Sequence, residues 1–470
     1  MDTPRKTYRP WNPDAYRQQA HAPLDKLPEG DLVFFLVDVV PQLDLSGIYA
    51  PYEDETRGAP PFDPRLMTCL LLYAYSVGVF SSRKIATACE RNLAFLTITG
   101  DDRPDFRTIS DFRKLHLNAL ADLFNQVLKL AHEAGLVQLG AWATDGSKFP
   151  GNASRHKAMS YGYLKKEEER LRAEIADLLR QAQQQDEAED AALGARRGDE
   201  LPEELRFREQ RLAKIQQAKV RLEEQAKAQA EAERQRRAEA AEQVRQGQRH
   251  AGGRPAPPLR DVPDDKAQTN FTDPEMKIMP QSNKGWDYGG NAQVVVDDVC
   301  QIILACDVVI ESNDKQQAVP MAEQALANLQ AAGLERPRDA QGQEQKILSL
   351  EDSGYFSERA VSGLEALGLD PYVATQRQKH QGPLQAAGTG PPPMTAKDKM
   401  QAKLRTVRGR AVYGLRKGVV EPVFGQIKGA RGFRRFSLRG LRKVRGEWCL
   451  VCLTHNLLKL WRFGCAPSGN

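Results

Sequence analysis

A densely charged stretch over residues 161–250 divides the chain into parts of very different character. It holds 19 Lys and Arg against 20 Asp and Glu, with many Ala and Gln. Apolar residues recur there at steps of three and four, which predicts amphipathic helices, and the sequence GDELP at 198–202 separates two halves. The seam positions are Leu171, Ile175, Leu178, Leu212, Ile215, Leu222 and Ala226, with Lys219 among them. We expect an antiparallel helical hairpin or short coiled coil at 155–270, inserted into a globular domain; the alternative for its Ala-rich second half is disorder.

Strand-like segments lie on both sides of this insertion. Residues 139–149 precede it, and four further strands are predicted after it, together with helices near 316–333 and 357–367. The four strands are 291–297, 301–310, 346–351 and 370–375. Because a helix lies between the last two, they are expected to pair in parallel. We therefore predict an α/β domain at 138–463 with a mixed sheet flanked by helices, and a flexible Gly/Pro/Gln-rich linker at 376–403.

The first 137 residues are predicted to form an all-helical domain. Pro64 marks a helix start, Ser81 can cap the next helix, and Thr108 can cap a longer one that ends at Gly135. A plain helical bundle and a helix-turn-helix DNA-binding motif at 66–92 are both compatible with this pattern.

Nothing in the sequence predicts export or membrane insertion. The most apolar run, Leu66–Phe80, is too short to cross a bilayer, and polar residues follow Met1 where a signal peptide would be apolar. The seven cysteines are dispersed and odd in number, which is typical of reduced thiols. We expect a cytoplasmic protein.

Three carboxylates fall at informative positions along the predicted elements. Asp145 is expected to end the first strand, Asp352 follows the fourth, and Glu421 lies on a later helix. Strand ends at one edge of an α/β sheet converge, so acids remote in sequence can share a pocket. Clustered carboxylates repel one another unless a cation compensates, and hard cations such as Mg²⁺ prefer oxygen ligands. The three acids are candidate metal ligands; ordinary turn and cap roles are the alternative.

The helix around Glu421 lies in a strongly basic segment. Glu421 and Lys428 are seven residues apart, about 10.5 Å along a helix and on nearly the same face. They suit a metal ligand beside a phosphate contact, or simply a solvated surface pair. Residues 401–446 hold 14 basic side chains and one acid, a net charge of +13 that indicates phosphate binding. Phe433 and Phe436, which lie between arginines, could stack on bases, but packing is the favoured interpretation.

Together these segments resemble the DDE transposases of bacterial insertion sequences. The first acidic motif of that family resembles ATDGSK at 143–148, and the second resembles EDSGYFS at 351–357. The third combines Tyr, Arg, Glu and Lys, and it resembles Tyr413, Arg416, Glu421 and Lys428 in YGLRKGVVEPVFGQIK. The segment GFRRFSLRGLRKVRGEWCLVCLTHNLLKL and the helical region from PFDPRLMTCLLLYAY to TISDFRKLH are also similar to this group. The likeness covers most of the chain except the charged insertion and the linker.

The resemblance implies a ribonuclease H-like catalytic domain and a helical N-terminal domain that binds DNA ends. It implies that Asp145, Asp352 and Glu421 hold two Mg²⁺ or Mn²⁺ ions for cleavage and strand transfer. The implied partners are double-stranded DNA at the element ends and the target, and a second copy of the chain in a homodimer on DNA. The implied DNA contacts are Tyr413, Arg416, Lys417, Lys428, Arg431, Arg434 and Arg435. A nuclease without strand transfer and a non-catalytic DNA-binding regulator are the alternative functions.

Two positions depart from the family pattern. Glu351 stands beside Asp352 where a small apolar residue is commoner, so two acids compete for one role. Alternation along a strand would direct them to opposite faces, and the Gly-Tyr spacing favours Asp352. Arg416 lies five positions before Glu421 where the family has four, and Lys417 occupies that place, so either side chain could contact DNA.

Other polar residues are weaker candidates. Cys449, Cys452 and His455 have the spacing of metal ligands, but their apolar surroundings favour a core helix. Three acids near the second and third strands are interpreted as turn or cap residues with a small chance of assisting the metal site: Asp297, Asp307 and Asp314. Asn291 and Gln293 could approach DNA, although strands often hold such residues.

Overall fold

The computed structural model describes residues 8–14, 27–53, 59–100, 102–193, 203–246, 258–281, 285–338, 341–376 and 395–464. The chain divides into two compact units, Met1–Asn152 with Ile278–Asn470, and Ala153–Lys277. Most of the predicted linker, residues 377–394, lies outside the described residues. Its last part is a helix rather than a linker, because Thr395 and Asp398 form a capping box that starts Ala396–Arg405.

The elements follow the predicted order of strand, insertion, two strands, helix, strand, helix, strand and helix. The strands are β1 (Ala141–Pro150), β2 (Ala158–Ser160), β3 (Gln268–Asn270), β4 (Lys277–Pro280), β5 (Trp286–Asp297), β6 (Ile303–Val309), β7 (Leu348–Glu351) and β8 (Asp370–Val373). The helices are α1 (Leu32–Val39), α2 (Ser46–Glu53), α3 (Pro64–Ser76), α4 (Ser82–Arg91), α5 (Leu93–Thr99), α6 (Phe106–Leu115), α7 (Leu117–Glu133), α8 (Tyr161–Leu193), α9 (Glu203–Arg245), α10 (Ala318–Ala331), α11 (Glu358–Ala366), α12 (Ala396–Arg405), α13 (Val407–Gly425) and α14 (Leu441–Gly464).

A mixed sheet forms the core of the larger unit. Strand β1 is central, with β5 antiparallel on one side and β7 parallel on the other. Strand β8 extends the sheet in parallel beside β7, and β4 and β6 both pair with β5. The predicted parallel crossover through α11 is confirmed. An α/β unit with this mixed sheet and flanking helices is compatible with a ribonuclease H-like fold.

The N-terminal helices belong to the same compact unit as the sheet. The predicted single helix from Thr108 to Gly135 is wrong in two respects. Its cap is Asp105, whose carboxylate accepts from the backbone N–H groups of Arg107 and Thr108 at 2.6 and 3.0 Å. It also breaks at His116, where the buried imidazole Nε2 lies 3.0 Å from the Tyr52 hydroxyl, so a tertiary contact separates α6 from α7.

The smaller unit consists of the short β2–β3 pair and the two long helices α8 and α9. Ion pairs join the helices in opposite chain order, Glu167 to Arg211 at 2.7 Å and Glu174 to Arg208 at 3.1 Å. Their shared core includes three of the predicted seam residues; its members are Tyr161, Leu164, Leu171, Ile215, Ala218 and Leu222. Residues 194–202, between the helices, lie outside the described part of the chain.

Among the described residues, no helix on its own has the length and apolar character needed to span a bilayer. The helical segments Leu32–Gln42 and Ser46–Glu53 meet that criterion only when taken together, with a bend of 66° at the break between them.

Candidate active site

Asp145 lies within the central strand rather than at its end. Strand β1 continues to Pro150 because β5 pairs with it along its whole length, and Asp145 stands opposite Val294. The expectation that Asp145 ends the strand is therefore wrong, since the Asp-Gly sequence here is part of a ladder and not a turn. The Asp145 Oδ1 accepts from the Gly146 backbone N–H at 2.8 Å.

Asp352 follows the neighbouring parallel strand directly. Thr144 of β1 is in register with Glu351 of β7, so the next residues along the two strands are Asp145 and Asp352. The Asp352 Oδ1 accepts from the Gly354 backbone N–H at 2.6 Å, which holds the carboxylate in a tight turn. Strand register thus brings two of the three predicted acids together across 207 positions of sequence.

The pKa of Asp145 reflects this position. Burial raises the pKa to about 6, the Arg416 guanidinium lowers it, and the charge of Asp352 raises it. A carboxylate disfavoured by burial and by a second carboxylate is stabilised by a cation, and in this structure the cation is Arg416, whose Nη1 lies 3.2 Å from Asp145 Oδ2. The chemistry of this pair therefore fits a divalent cation.

Glu351 is separated from this pair, as strand alternation predicts. Its buried carboxylate accepts from the Ser349 hydroxyl and, at 3.5 Å, from that of Thr144. Burial raises the pKa of Glu351 to about 7. Glu351 is in register with Thr144 and bonds to its hydroxyl, so the two side chains share one face of the sheet. Asp145 is the next residue along β1, and its side chain is therefore on the opposite face. This placement leaves Asp352 as the acid of the second motif that accompanies Asp145.

Two cations of the third motif lie over β1. Arg416 of α13 contacts Asp145, and Lys428, in the π-helical turn Gln426–Ala430 that follows α13, donates to the Ser147 hydroxyl at 2.6 Å. Asp145 and Ser147 are two residues apart on β1, so their side chains lie on the same face of the strand. Burial and Arg434 lower the pKa of Lys428, whose Nζ also lies 4.3 Å from the Phe149 ring centre. Tyr413 is near Arg416, and burial raises the pKa of its hydroxyl.

Glu421 is not brought to the two other acids. It is exposed on α13, whereas Val420 and Val423 on the same helix are buried. Across the described part of the chain, no three His, Cys, Asp or Glu side chains come close enough to hold a metal ion together. The structure therefore assembles two of the three predicted ligands and leaves the third outside.

Arg431 is not placed to contact DNA, so that expectation is wrong. Its buried guanidinium donates to the carbonyl oxygens of Tyr75 and Val451 at 3.0 and 2.9 Å and to the Thr454 hydroxyl at 2.5 Å. It thereby joins α3 to α14 through hydrogen bonds. The backbone of Arg431 is also close to Gly78, where a Cβ would overlap the Arg431 carbonyl oxygen. The positive φ of +81° at Gly78 also favours glycine at this close approach.

The other basic candidates remain at the surface. Lys417 and Arg434 are exposed, and Arg435 is exposed with its guanidinium 3.4 Å from the Asp287 carboxylate. Phe433 and Phe436 are buried against Phe149 and Trp448, so the packing interpretation is confirmed.

The weaker candidates have structural roles, one of which differs from expectation. His455 is buried with Nε2 3.0 Å from the Gln301 carbonyl oxygen, which supports a core helix over a metal site. Asp297, the last residue of β5, accepts from the backbone N–H of Val299 in the following turn, as expected, and also from that of Leu139 before β1. Asp307 is neither a turn nor a cap residue: it lies within β6 and pairs with Arg445 at 2.7 Å.

Three polar residues form a cluster that the sequence did not predict: Asn291, Gln293 and Asp314. Asp314 is more than a turn residue, since its Oδ1 accepts from the side-chain amides of Asn291 and Gln293, each at 2.8 Å. The spacing of Asn291 and Gln293, two apart on a strand, is a signal that both amides face one side. No sequence pattern indicates that Asp314 meets them there.

Two comparisons with family models support the resemblance. Residues 22–115 match a Transposase domain (DUF772), and residues 389–461 match a Transposase DDE domain, which contains Tyr413, Arg416, Glu421 and Lys428. No curated protein and no solved structure matches the chain significantly. The first match covers most of the N-terminal helices, and the second covers α13 and nearly all of α14. Both matches are to transposase domains, and together they support a DDE transposase of insertion-sequence type.

Proposed function

We propose that this protein cleaves DNA at the ends of an insertion sequence and joins those ends to target DNA. The acids would be Asp145, Asp352 and Glu421, on a ribonuclease H-like domain that carries a helical insertion. One observation carries the proposal: Asp145 and Asp352 are adjacent on parallel strands, while Arg416 and Lys428 lie over the face of β1 that bears Asp145. Two acids and two cations in this order suit a phosphodiester substrate.

Asp145 and Asp352 would hold the divalent cations, two Mg²⁺ or Mn²⁺, with Glu421 joining from α13. When bound, such cations activate an attacking oxygen and stabilise the leaving oxygen of a phosphodiester. Glu421 would complete the set only after its exposed side chain turns towards β1. Arg416 already neutralises Asp145, so it would have to exchange that carboxylate for a DNA phosphate.

The remaining third-motif residues would orient the DNA end. Tyr413 lies near Arg416 and Asp352, and Arg416 contacts Asp145. Lys428 lies further along the face of β1 that bears Asp145, so the three could contact successive groups of one DNA strand. The exposed cations Lys417, Arg434 and Arg435 would contact the phosphate backbone.

The N-terminal helices and the start of α14 would together form a second DNA-binding surface. A cavity of about 770 Å³ there is lined by four cations, Arg9, Arg107, Lys114 and Lys443, and by Asp111. The Arg9 guanidinium lies 4.4 Å from the Phe62 ring centre, so an aromatic side chain supports it. We infer that this surface binds the backbone of the element end, whereas Arg83 and Arg91, on the amphipathic helix α4, would read its sequence in a helix-turn-helix arrangement.

The charged insertion, residues 161–250, would contribute to dimerisation or to end binding. Its two helices bury a core of their own, so a deletion that rejoins the flanking strands can be tested. Light scattering and end-affinity measurements on this deletion variant are the test, and unchanged mass together with unchanged affinity would contradict this role.

The function is tested by plasmid excision in bacterial cytoplasm, using a donor that carries the DNA flanking the gene. Wild type would be compared with Asp145→Asn, Asp352→Asn and Glu421→Gln, and excision should be lost in all three while end binding persists. A strand-transfer assay with pre-cleaved ends then separates a transposase from a nuclease. If folded wild type binds the ends but does not cleave them with metal, the result would support the alternative function of a non-catalytic DNA-binding regulator.

A further inference from the structure

A hydrogen-bonded network of side chains connects β5, the strand that pairs with β1, to the turn that carries Asp352. Asn291 and Gln293 of β5 both donate to Asp314 Oδ1, and the oxygen of the Gln293 amide accepts from the buried hydroxyl of Tyr355. Asn291 also donates to the Glu311 carbonyl oxygen at 3.2 Å. Gln293 therefore joins Asp314 to Tyr355, the last residue of the turn Asp352–Tyr355.

This network lies where the two acidic motifs approach each other. A Cβ at Gly146, next to Asp145, would overlap the Gln293 amide nitrogen and lie 2.8 Å from Asp314 Oδ1. A Cβ at Gly354 would lie 2.9 Å from Asp352 Oδ1 and 3.5 Å from Asp314 Oδ2. The two glycines leave the space in which Asp314 lies against both motifs.

The carboxylate of Asp314 determines how the amides are oriented. An amide side chain can present either NH₂ or oxygen in a given direction, and a carboxylate accepts only from NH₂. With its NH₂ held by Asp314, Gln293 must direct its oxygen towards Tyr355, which is the arrangement observed.

We propose that Asp314 is a positioning residue that holds the turn Asp352–Tyr355, and thereby the Asp352 carboxylate, in place beside Asp145. It acts through Gln293 and Tyr355 and does not contact DNA. The inference rests on the proposed role of Asp145 and Asp352. A direct role of the Asp314 charge at the reacting centre is the competing explanation, and the experiment below separates the two.

The test uses the full chain and four variants. Asp314→Ala removes the acceptor. Asp314→Asn removes the charge and replaces one oxygen by an NH₂ group, but it keeps one oxygen that can accept from both amides. Tyr355→Phe removes the hydroxyl that donates to Gln293 and keeps the aromatic ring. Glu311→Ala is the matched control, because its exposed carboxylate lies three residues from Asp314 and only its backbone takes part in the network.

The first readout is hydrogen exchange of the backbone amides in residues 350–357, measured by mass spectrometry without DNA or metal. Exchange there should accelerate in Asp314→Ala and Tyr355→Phe and stay at the wild-type rate in Asp314→Asn and Glu311→Ala. Unchanged exchange in Asp314→Ala would overturn the positioning role. This readout does not depend on cleavage, so it decides the proposal even if the protein proves to be a regulator.

The second readout is the rate of end cleavage with Mn²⁺. Loss of a group that supports a metal ligand typically lowers activity about 10- to 100-fold, which is the expected effect for Asp314→Ala. Asp314→Asn should cleave at close to the wild-type rate, since positioning needs the acceptor and not the charge. If Asp314→Asn cleaves as poorly as Asp314→Ala while its exchange is normal, the charge acts directly and the proposal is wrong. If wild type does not cleave, the proposed function fails and the exchange result stands alone.

Discussion

The two acids on the sheet and the acid on helix α13 are held in opposite ways. The positions of Asp145 and Asp352 follow from the register of two parallel strands, and each carboxylate accepts from a backbone N–H group of its own motif. Glu421 projects from an exposed position on a helix whose buried residues set only the rotation of the helix. A hydrogen-bonded ladder specifies position residue by residue, whereas helix packing leaves an exposed side chain free to move.

Arg416 connects these two regions. It comes from the helix that carries Glu421, yet its guanidinium pairs with Asp145 on the sheet. Arg431, 15 positions later, anchors the segment after α13 to α3 and α14 instead. One basic segment thus contains a cation at the proposed reacting site, a buried structural cation and several exposed ones.

The largest effect is expected from the acids themselves. Asp145→Asn and Asp352→Asn should slow end cleavage about 10³-fold, or roughly 4 kcal/mol of transition-state stabilisation. Glu421→Gln should match them if α13 delivers the third carboxylate when DNA is bound. Single-turnover cleavage with Mn²⁺ measures this, with the exposed Glu365→Gln on α11 as the control. Wild-type activity in Glu421→Gln would exclude Glu421 of α13 as a metal ligand.

Arg431→Met should destabilise the fold with little effect on DNA contacts. It leaves buried carbonyl oxygens of Tyr75 and Val451 without their donor, and such losses cost about 1–3 kcal/mol each. We expect the free energy of unfolding to fall by about 3 kcal/mol, measured by denaturant titration. Arg434→Met, a change at an exposed arginine of the same segment, should change it by less than about 0.5 kcal/mol. Equal stability of the two variants would contradict the anchoring role.

The pH dependence of cation binding should identify Asp145. Its folded-state pKa, about 6, lies above the ordinary carboxyl value, so burying the charged form costs stability as the pH rises from about 4 to 6. A divalent cation binds only the charged form and offsets that cost above pH 6. Calorimetry should show Mn²⁺ affinity falling up to about tenfold per pH unit below 6. An affinity that does not change between pH 5 and 7 would exclude Asp145 as a ligand.

The smallest effect is expected at the exposed cations. Removing one phosphate contact lowers the slope of log affinity against log salt by about 0.9, so Lys417→Ala should change end binding modestly and uniformly across sequences. Fluorescence anisotropy between 50 and 200 mM salt, about the range in which such slopes are resolved, measures it. Arg416→Ala serves for comparison: a larger change in slope than in Lys417→Ala would identify Arg416 as the DNA contact at this position.

Local patterns were sufficient for the elements but not for their ends. Alternating and helical periodicity predicted the strands around Asp145 and Asp352 and the helix around Glu421. The break at His116 and the continuation of β1 past Asp145 depend on partners far away in sequence, namely Tyr52 and β5. Sequence reasoning therefore failed where a distant contact outweighed a local preference.

By itself, the sequence determined which segments are strands or helices around the acids and where the charge is concentrated. Only the tertiary structure decided that Asp145 meets Asp352 and Arg416, that Arg431 is buried while Lys417 is exposed, and that Asp314 reaches two amides on β5. The physical reason is that periodicity reflects which face of an element is buried. The neighbour of each side chain on that face is selected by strand register and helix packing between segments that lie hundreds of residues apart.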